Sequence, residues 1–374
     1  MRRIVIWNHH IRHVEALMKQ LIVWSVVLII LLASVSWARR ESFTPEQKAK
    51  LEKVDRVLVD VIALSDKGSA DPSALNDVVV KRMKELTYTM VTDPAQAHDV
   101  EFKVKCEQRK TWEGTTNMGS DADQPDSPAR VWKGPACQLS YFLDGKKMGW
   151  RKEVRTDFAD AQQAADDAKA GDPTVYAMGK LKERLEDYDF PVFITAEWGQ
   201  EERLFKLYDD PATPSARKVR LIGMFGYLFS TKAVPRLLEG LKGNDMEVAK
   251  ASALALGNIG QKDTIPTLIQ TMKNGQPELR PSAARALGVL GALHGDFTIV
   301  DPLLEMLKTD DIALKTEVVW ALGKLPDRRA QEPLVALQKS LYHVRENDAD
   351  PKLVKLKEAV NWSIKQIDTW EYLQ

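Results

Sequence analysis

Thirty-one residues separate Gly226 from Gly257, and thirty-one more separate Gly257 from Gly288. Each of the last two glycines sits in a near-copy of one pattern, ALALGNIG at 253–260 and ARALGVLG at 284–291. A period of this length marks a repeat array, in which one supersecondary unit buries its apolar face only by stacking on the next. The expected product is an extended surface rather than a pocket built for chemistry.

Aligned on the glycine, the period extends to WALGKL at 320–325, with Gly323, and to NWSIKQI at 361–367, with Lys365 in the glycine column. About five copies result, the first and last degraded. Two residues before the glycine stand Met224, Ala255, Ala286, Ala321 and Ser363, mostly small; the next column reads Phe225, Leu256, Leu287, Leu322 and Ile364. Apolar residues three or four apart share a helical face, so this half of each copy predicts an amphipathic helix packing through a small-residue seam. The glycine is expected to stop that helix or loosen its last turn. Pro235, Pro266, Pro302 and Pro333 each precede an apolar run, and proline is tolerated in a first helical turn, where its missing N–H has no partner to lose. Each copy therefore predicts helix, turn, helix.

LRPSAARALG at 279–288, and ALKTEVVWALG at 313–323 followed by AQEPL at 330–334, resemble HEAT repeats of the short bacterial type also found in phycobilin lyases. The resemblance covers roughly residues 215–370. It implies an all-α solenoid over 215–374 whose second helices line a concave, partner-binding face, and it implies no particular partner.

The N-terminus carries a second signal. Residues 21–35, LIVWSVVLIILLASV, form an apolar run preceded by Lys19 and followed by Ser36-Trp37-Ala38 and Arg39-Arg40. Read from Met18, this is a signal peptide with a small-x-small cleavage site. The alternative, read from Met1, is that 21–38 is an uncleaved inner-membrane anchor, close to the roughly 20 apolar residues a span needs. Either form of the 1–38 leader places the body of the protein outside the cytoplasm, in the periplasm or cell envelope. Basic and acidic residues balance at 53 each, so no global field points to nucleic acid.

Residues 42–205 read differently, as a small α+β domain. RVLVDVIALS at 56–65 is nearly continuously apolar and β-branched, as suits a strand covered on both faces. Asp71-Pro72-Ser73 opens a helix expected to reach about Val91. DVEFKVKCEQ at 99–108 alternates strictly, residues 136–155 form a hairpin around Asp144-Gly145, and a helix runs from about Pro173 to Tyr188. The only two cysteines, Cys106 and Cys137, fall on inward-facing positions of these strands. Either they sit opposite each other and form a disulfide worth on the order of 3 kcal/mol, or they are buried thiols at unrelated heights. The loop between them carries Asp121, Asp123 and Asp126 but lacks the oxygens and fixed glycine of a calcium loop, so no metal is assigned.

No catalytic motif or cofactor signature appears. Outside the leader His98, His294 and His343 stand alone in sequence, and no HExxH, GxSxG or phosphate-cradling glycine loop is present. The candidate site is instead a surface. Three residues before the glycine column, on the face away from the seam, stand Gly223, Leu254, Arg285, Trp320 and Trp362, and large apolar groups there suggest a partner-binding patch. Lys218, Arg280, Lys315 and Lys357, near the starts of the same helices, are expected to add a basic stripe. The alternative is that Trp320 and Trp362 pack on each other or on the long insertion near His343, and that the basic residues are a solvated rim. The expected function is a non-enzymatic scaffold or adaptor of the bacterial envelope with a protein partner; the alternative is a lyase-like or cofactor-handling enzyme with its site between the domains.

Overall fold

The computed structural model describes residues 43–114, 130–345 and 350–373. The leader, 1–38, and Asp121, Asp123 and Asp126 lie outside the described residues. Two compact units emerge, Met1–Phe190 with Glu197–Gly199, and Pro191–Ala196 with Gln200–Gln374.

The first unit is an α+β layer. In chain order it contains α1 (Pro45–Leu51), β1 (Arg56–Ser65), β2 (Gly68–Ala70), α2 (Ser73–Lys84), β3 (Thr89–Val91), β4 (Val100–Gly114), β5 (Arg130–Leu143), β6 (Lys146–Arg155), α3 (Ala161–Asp167) and α4 (Pro173–Asp187). The sheet order is β2-β1-β4-β5-β6, with β3 parallel beside the start of β1. Helix α2 stops at Lys84, short of the expected Val91: Thr87 turns the chain at φ 62, and Thr89–Val91 then joins the sheet. Strand β1 is covered unevenly: Val61 on its inner face is half-buried, and on its outer face only Leu58 is buried. Helices α2 and α4 pack on the sheet, burying Val57, Val59 and Ala63. The opposite face carries ion pairs, Lys103 to Asp60 at 2.8 Å and to Glu101 at 3.2 Å, which leave Asp60 and Ile62 half-buried.

Alternation works on β4 and β5 because their inward residues all meet one core. Val100, Phe102, Val104 and Cys106, with Leu139 and Tyr141, are at most 1% exposed. Asp144 and Gly145 both adopt positive φ, 51° and 73°, the conformation that lets a two-residue turn follow the strand twist. Cys106 and Cys137 are register partners across β4 and β5, and their sulfurs are bonded.

The second unit is built from helix pairs. After α5 (Phe190–Glu197) come α6 (Glu201–Asp209), α7 (Ser215–Tyr227), α8 (Val234–Lys242), α9 (Met246–Ile259), α10 (Ile265–Asn274), α11 (Arg280–His294), α12 (Val300–Met306), α13 (Ile312–Lys324), α14 (Gln331–Ser340) and α15 (Pro351–Leu373). The longer helices α7, α9, α11, α13 and α15 pack side by side in one layer, and each of α8, α10, α12 and α14 packs on the longer helix that follows it. A 3-10 turn precedes each of these four shorter helices, and its proline lies in the first turn.

The unit begins before residue 215. The rings of Phe205 and Tyr208 of α6 meet Phe225 of α7 at 5.0 and 5.9 Å, tilted and edge-on, and Asp209 pairs with Arg236 of α8 at 2.9 Å. Helix α6 is thus the outer helix of the first pair, and the expected boundary between 205 and 215 cuts through it. Its sequence, EERLFKLYD, lacks the proline–leucine signature of the other outer helices.

The repeat glycines do not stop helices. Gly257 lies inside α9, where a Cβ would stand 2.8 Å from the Cα of Ala286 in α11. A Cβ on Gly288 would stand 2.7 Å from the Cα of Ala321 in α13, and one on Gly323 would overlap Ser363 and Trp362 of α15. Each glycine is a notch that receives the small residue of the following copy. The helix ends come later, at Gly260 and Gly295 in left-handed conformation, φ 80° and 58°. The notch also fits both degraded ends: among the described residues no repeat glycine precedes Met224, and no further copy packs on Lys365, which is exposed. Among the described residues, no helix is long and apolar enough to cross a membrane.

Candidate interaction face

Because the notches bring the long helices into close approach, residues in equivalent columns become neighbours across the stack. The column three residues before each glycine faces outward: Gly223 and Arg285 are exposed, and Leu254, Trp320 and Trp362 are half-buried. One helical turn further on stand Tyr227, Asn258, Val289, Lys324 and Gln366, and beside them the flanking column Arg220, Ala251, Ser282, Glu317 and Ala359. Of these fifteen positions only Ala359 is buried, so the three columns form one accessible face.

Its C-terminal half is organised by two cross-helix contacts. The rings of Trp320 and Trp362 meet at 4.9 Å between centroids, inclined by 51°. Arg285 donates to both carboxylate oxygens of Glu317, Nε at 2.9 Å and Nη2 at 2.5 Å. This bidentate pair raises the Arg285 guanidinium above its ordinary value. Lys324 completes the group. Its stem lies over the Gly288 notch, with Cδ 3.6 Å from where a Cβ would stand. Burial, together with the Arg285 charge, pushes the Lys324 ammonium below its ordinary value, and Glu317 offsets this in part.

Leu254, Arg285, Trp320 and Trp362 therefore share the face, with the two tryptophans packed together. The basic stripe does not join them. Arg280 turns toward the preceding short helix, donating Nε to the Met272 carbonyl at 2.8 Å, with Nη2 3.5 Å from the sulfur of Met306. Lys357 donates to the Val344 carbonyl at 2.7 Å, and Lys218 lies over the Tyr208 ring. Lys315 holds the same column position in α13 and is half-buried. The reason is helical geometry: the basic column stands five positions before the tryptophan column, and five positions turn a side chain by a net angle of about 140°, so this column faces away from the tryptophans. Sequence reasoning missed Glu317 and Lys324, although both stand in the same alignment one turn from the outward column.

Further apolar groups are exposed nearby: Phe229 and Phe297 after α7 and α11, and Leu293 in the last turn of α11. Among the described residues no group of three or more His, Cys, Asp or Glu side chains is placed to hold a metal ion. His294 donates Nε2–H to the Gly260 carbonyl, 2.8 Å away, and serves the helix end there.

Comparison with known proteins bears on this unit. A family model described as HEAT repeats matches residues 234–294 and 267–350, and HEAT repeats in general mediate protein–protein contact. No curated protein matches the chain.

Proposed function

We propose that the protein is a non-catalytic scaffold of the bacterial cell envelope that holds a protein partner on the long-helix face of its repeats, the concave side in the geometry the HEAT resemblance implies. The observation that carries this is the accessible row Leu254–Arg285–Trp320–Trp362, where large apolar groups stand in a column open to solvent. Envelope placement is supported by the 1–38 leader sequence, whether cleaved or kept as an anchor, and by a bonded pair in a chain with only two cysteines, a state that oxidising compartments maintain.

Affinity capture from the envelope fraction tests the face. Wild-type chain should retain a dominant protein partner, and the Trp320→Ala/Leu254→Ala double variant, shown folded by circular dichroism, should lose most of it. Equal capture by both would place the partner elsewhere. A co-purifying small molecule without a protein partner would favour an enzyme or cofactor-handling role.

A further inference from the structure

The three outward columns of the long helices contain three cations, Arg220, Arg285 and Lys324, and one carboxylate, Glu317. Two of the cations and the carboxylate are gathered at one point, beside the tryptophans. Glu317 makes a two-pronged contact with Arg285, so its single charge is already engaged where Lys324 lies. Lys324 follows Trp320 by one helical turn, and its stem is held over Gly288 on the neighbouring helix. Two like charges close together on a partly desolvated surface are unfavourable unless a second anion arrives. The adjacent Trp320–Trp362 pair, at 4.9 Å, offers a rigid aromatic surface.

We infer that this patch receives a protein segment that sets one carboxylate between Arg285 and Lys324 and lays a large apolar side chain against Trp320 and Trp362. The inference rests on the long-helix face being the partner face. Charge complementarity selects an acidic–apolar segment over a basic one: a basic segment would add a third cation to the pair. Burial first, and the Arg285 charge second, hold the Lys324 ammonium below its ordinary value, and a bound carboxylate would return it toward that value.

The test uses the full chain with its disulfide intact, panned against a random dodecapeptide display library. Enriched peptides should share an Asp or Glu next to a large apolar residue. Synthetic copies should bind about tenfold more weakly when that acid is replaced by its amide, or when Lys324→Gln is introduced. Because Lys324 is exposed as a residue and glutamine keeps part of its stem over Gly288, Lys324→Gln should leave folding unchanged. Bound peptide should also slow acetylation of Lys324 measured by mass spectrometry. Peptides without acids, or acid-bearing peptides indifferent to Lys324→Gln, overturn the inference; if they still lose affinity with Trp320→Ala, the partner face itself survives. Peptides indifferent to every substitution on the face, or no enrichment at all, overturn both.

Discussion

At the residue scale, glycine plays opposite parts at positions that look alike in sequence. Gly223 is exposed in the middle of α7, with no atom within 4 Å of where a Cβ would stand, whereas a Cβ on Gly288 would meet the Ala321 backbone at 2.7 Å. Gly223→Ala should therefore stabilise the helical unit by about 0.5–1 kcal/mol through helix propensity. Gly288→Ala should destabilise it by about 1–3 kcal/mol, because the backbone of α13 has to retreat. Gly226, where the same construction gives 3.3 Å, should fall between them. Urea unfolding, with hydrogen exchange assigning the transition to the repeats, ranks the three, and an order other than Gly223, Gly226, Gly288 would refute the notch.

At the element scale, aspartates organise the starts of the repeat helices and turns. Asp245 accepts from the Glu247 and Val248 amides at the head of α9, and Asp311 does the same for α13 through Ala313 and Leu314. Asp296 and Asp327 cap the 3-10 turns before α12 and α14. Three of these carboxyls sit below their ordinary value: Asp245 chiefly through the Ser215 hydroxyl, Asp296 through that of Thr298, and Asp327 through Arg329. A carboxyl depressed in the folded state stabilises fully above its unfolded value, near 3.9, and loses that contribution as pH falls through the folded value. The urea midpoint of the repeats should be flat from pH 7 to about pH 5 and fall below about pH 4; an unchanged midpoint at pH 3 would show that these caps contribute nothing. Asp311→Ala should cost about 1 kcal/mol at neutral pH.

At the scale of the whole molecule, the described stack closes on its last helix. Helix α15 fills the Gly323 notch with Ser363 and Trp362, while Lys365 and Asn361 are exposed, so among the described residues it covers the end of the stack. Deleting residues 351–374 should uncover Val319 and Leu322, raise exchange in α13 by orders of magnitude and promote aggregation; unchanged protection in α13 would mean that α15 is not the cap. Much of this architecture was legible in the sequence. The thirty-one-residue period, the proline marks and the outward column with Leu254, Arg285, Trp320 and Trp362 all follow from side-chain type and helical spacing, which are local properties. So do the β4–β5 alternation and the Asp144-Gly145 turn. The rest depended on which surfaces meet in three dimensions: that α6, without any motif, completes the first pair; that the glycines receive a neighbour instead of ending a helix; that Arg280 turns away; that Cys106 lies opposite Cys137; and that Glu317 and Lys324 join Arg285. A sequence states what each helix exposes on its own cylinder, and only stacking decides which neighbour that surface meets.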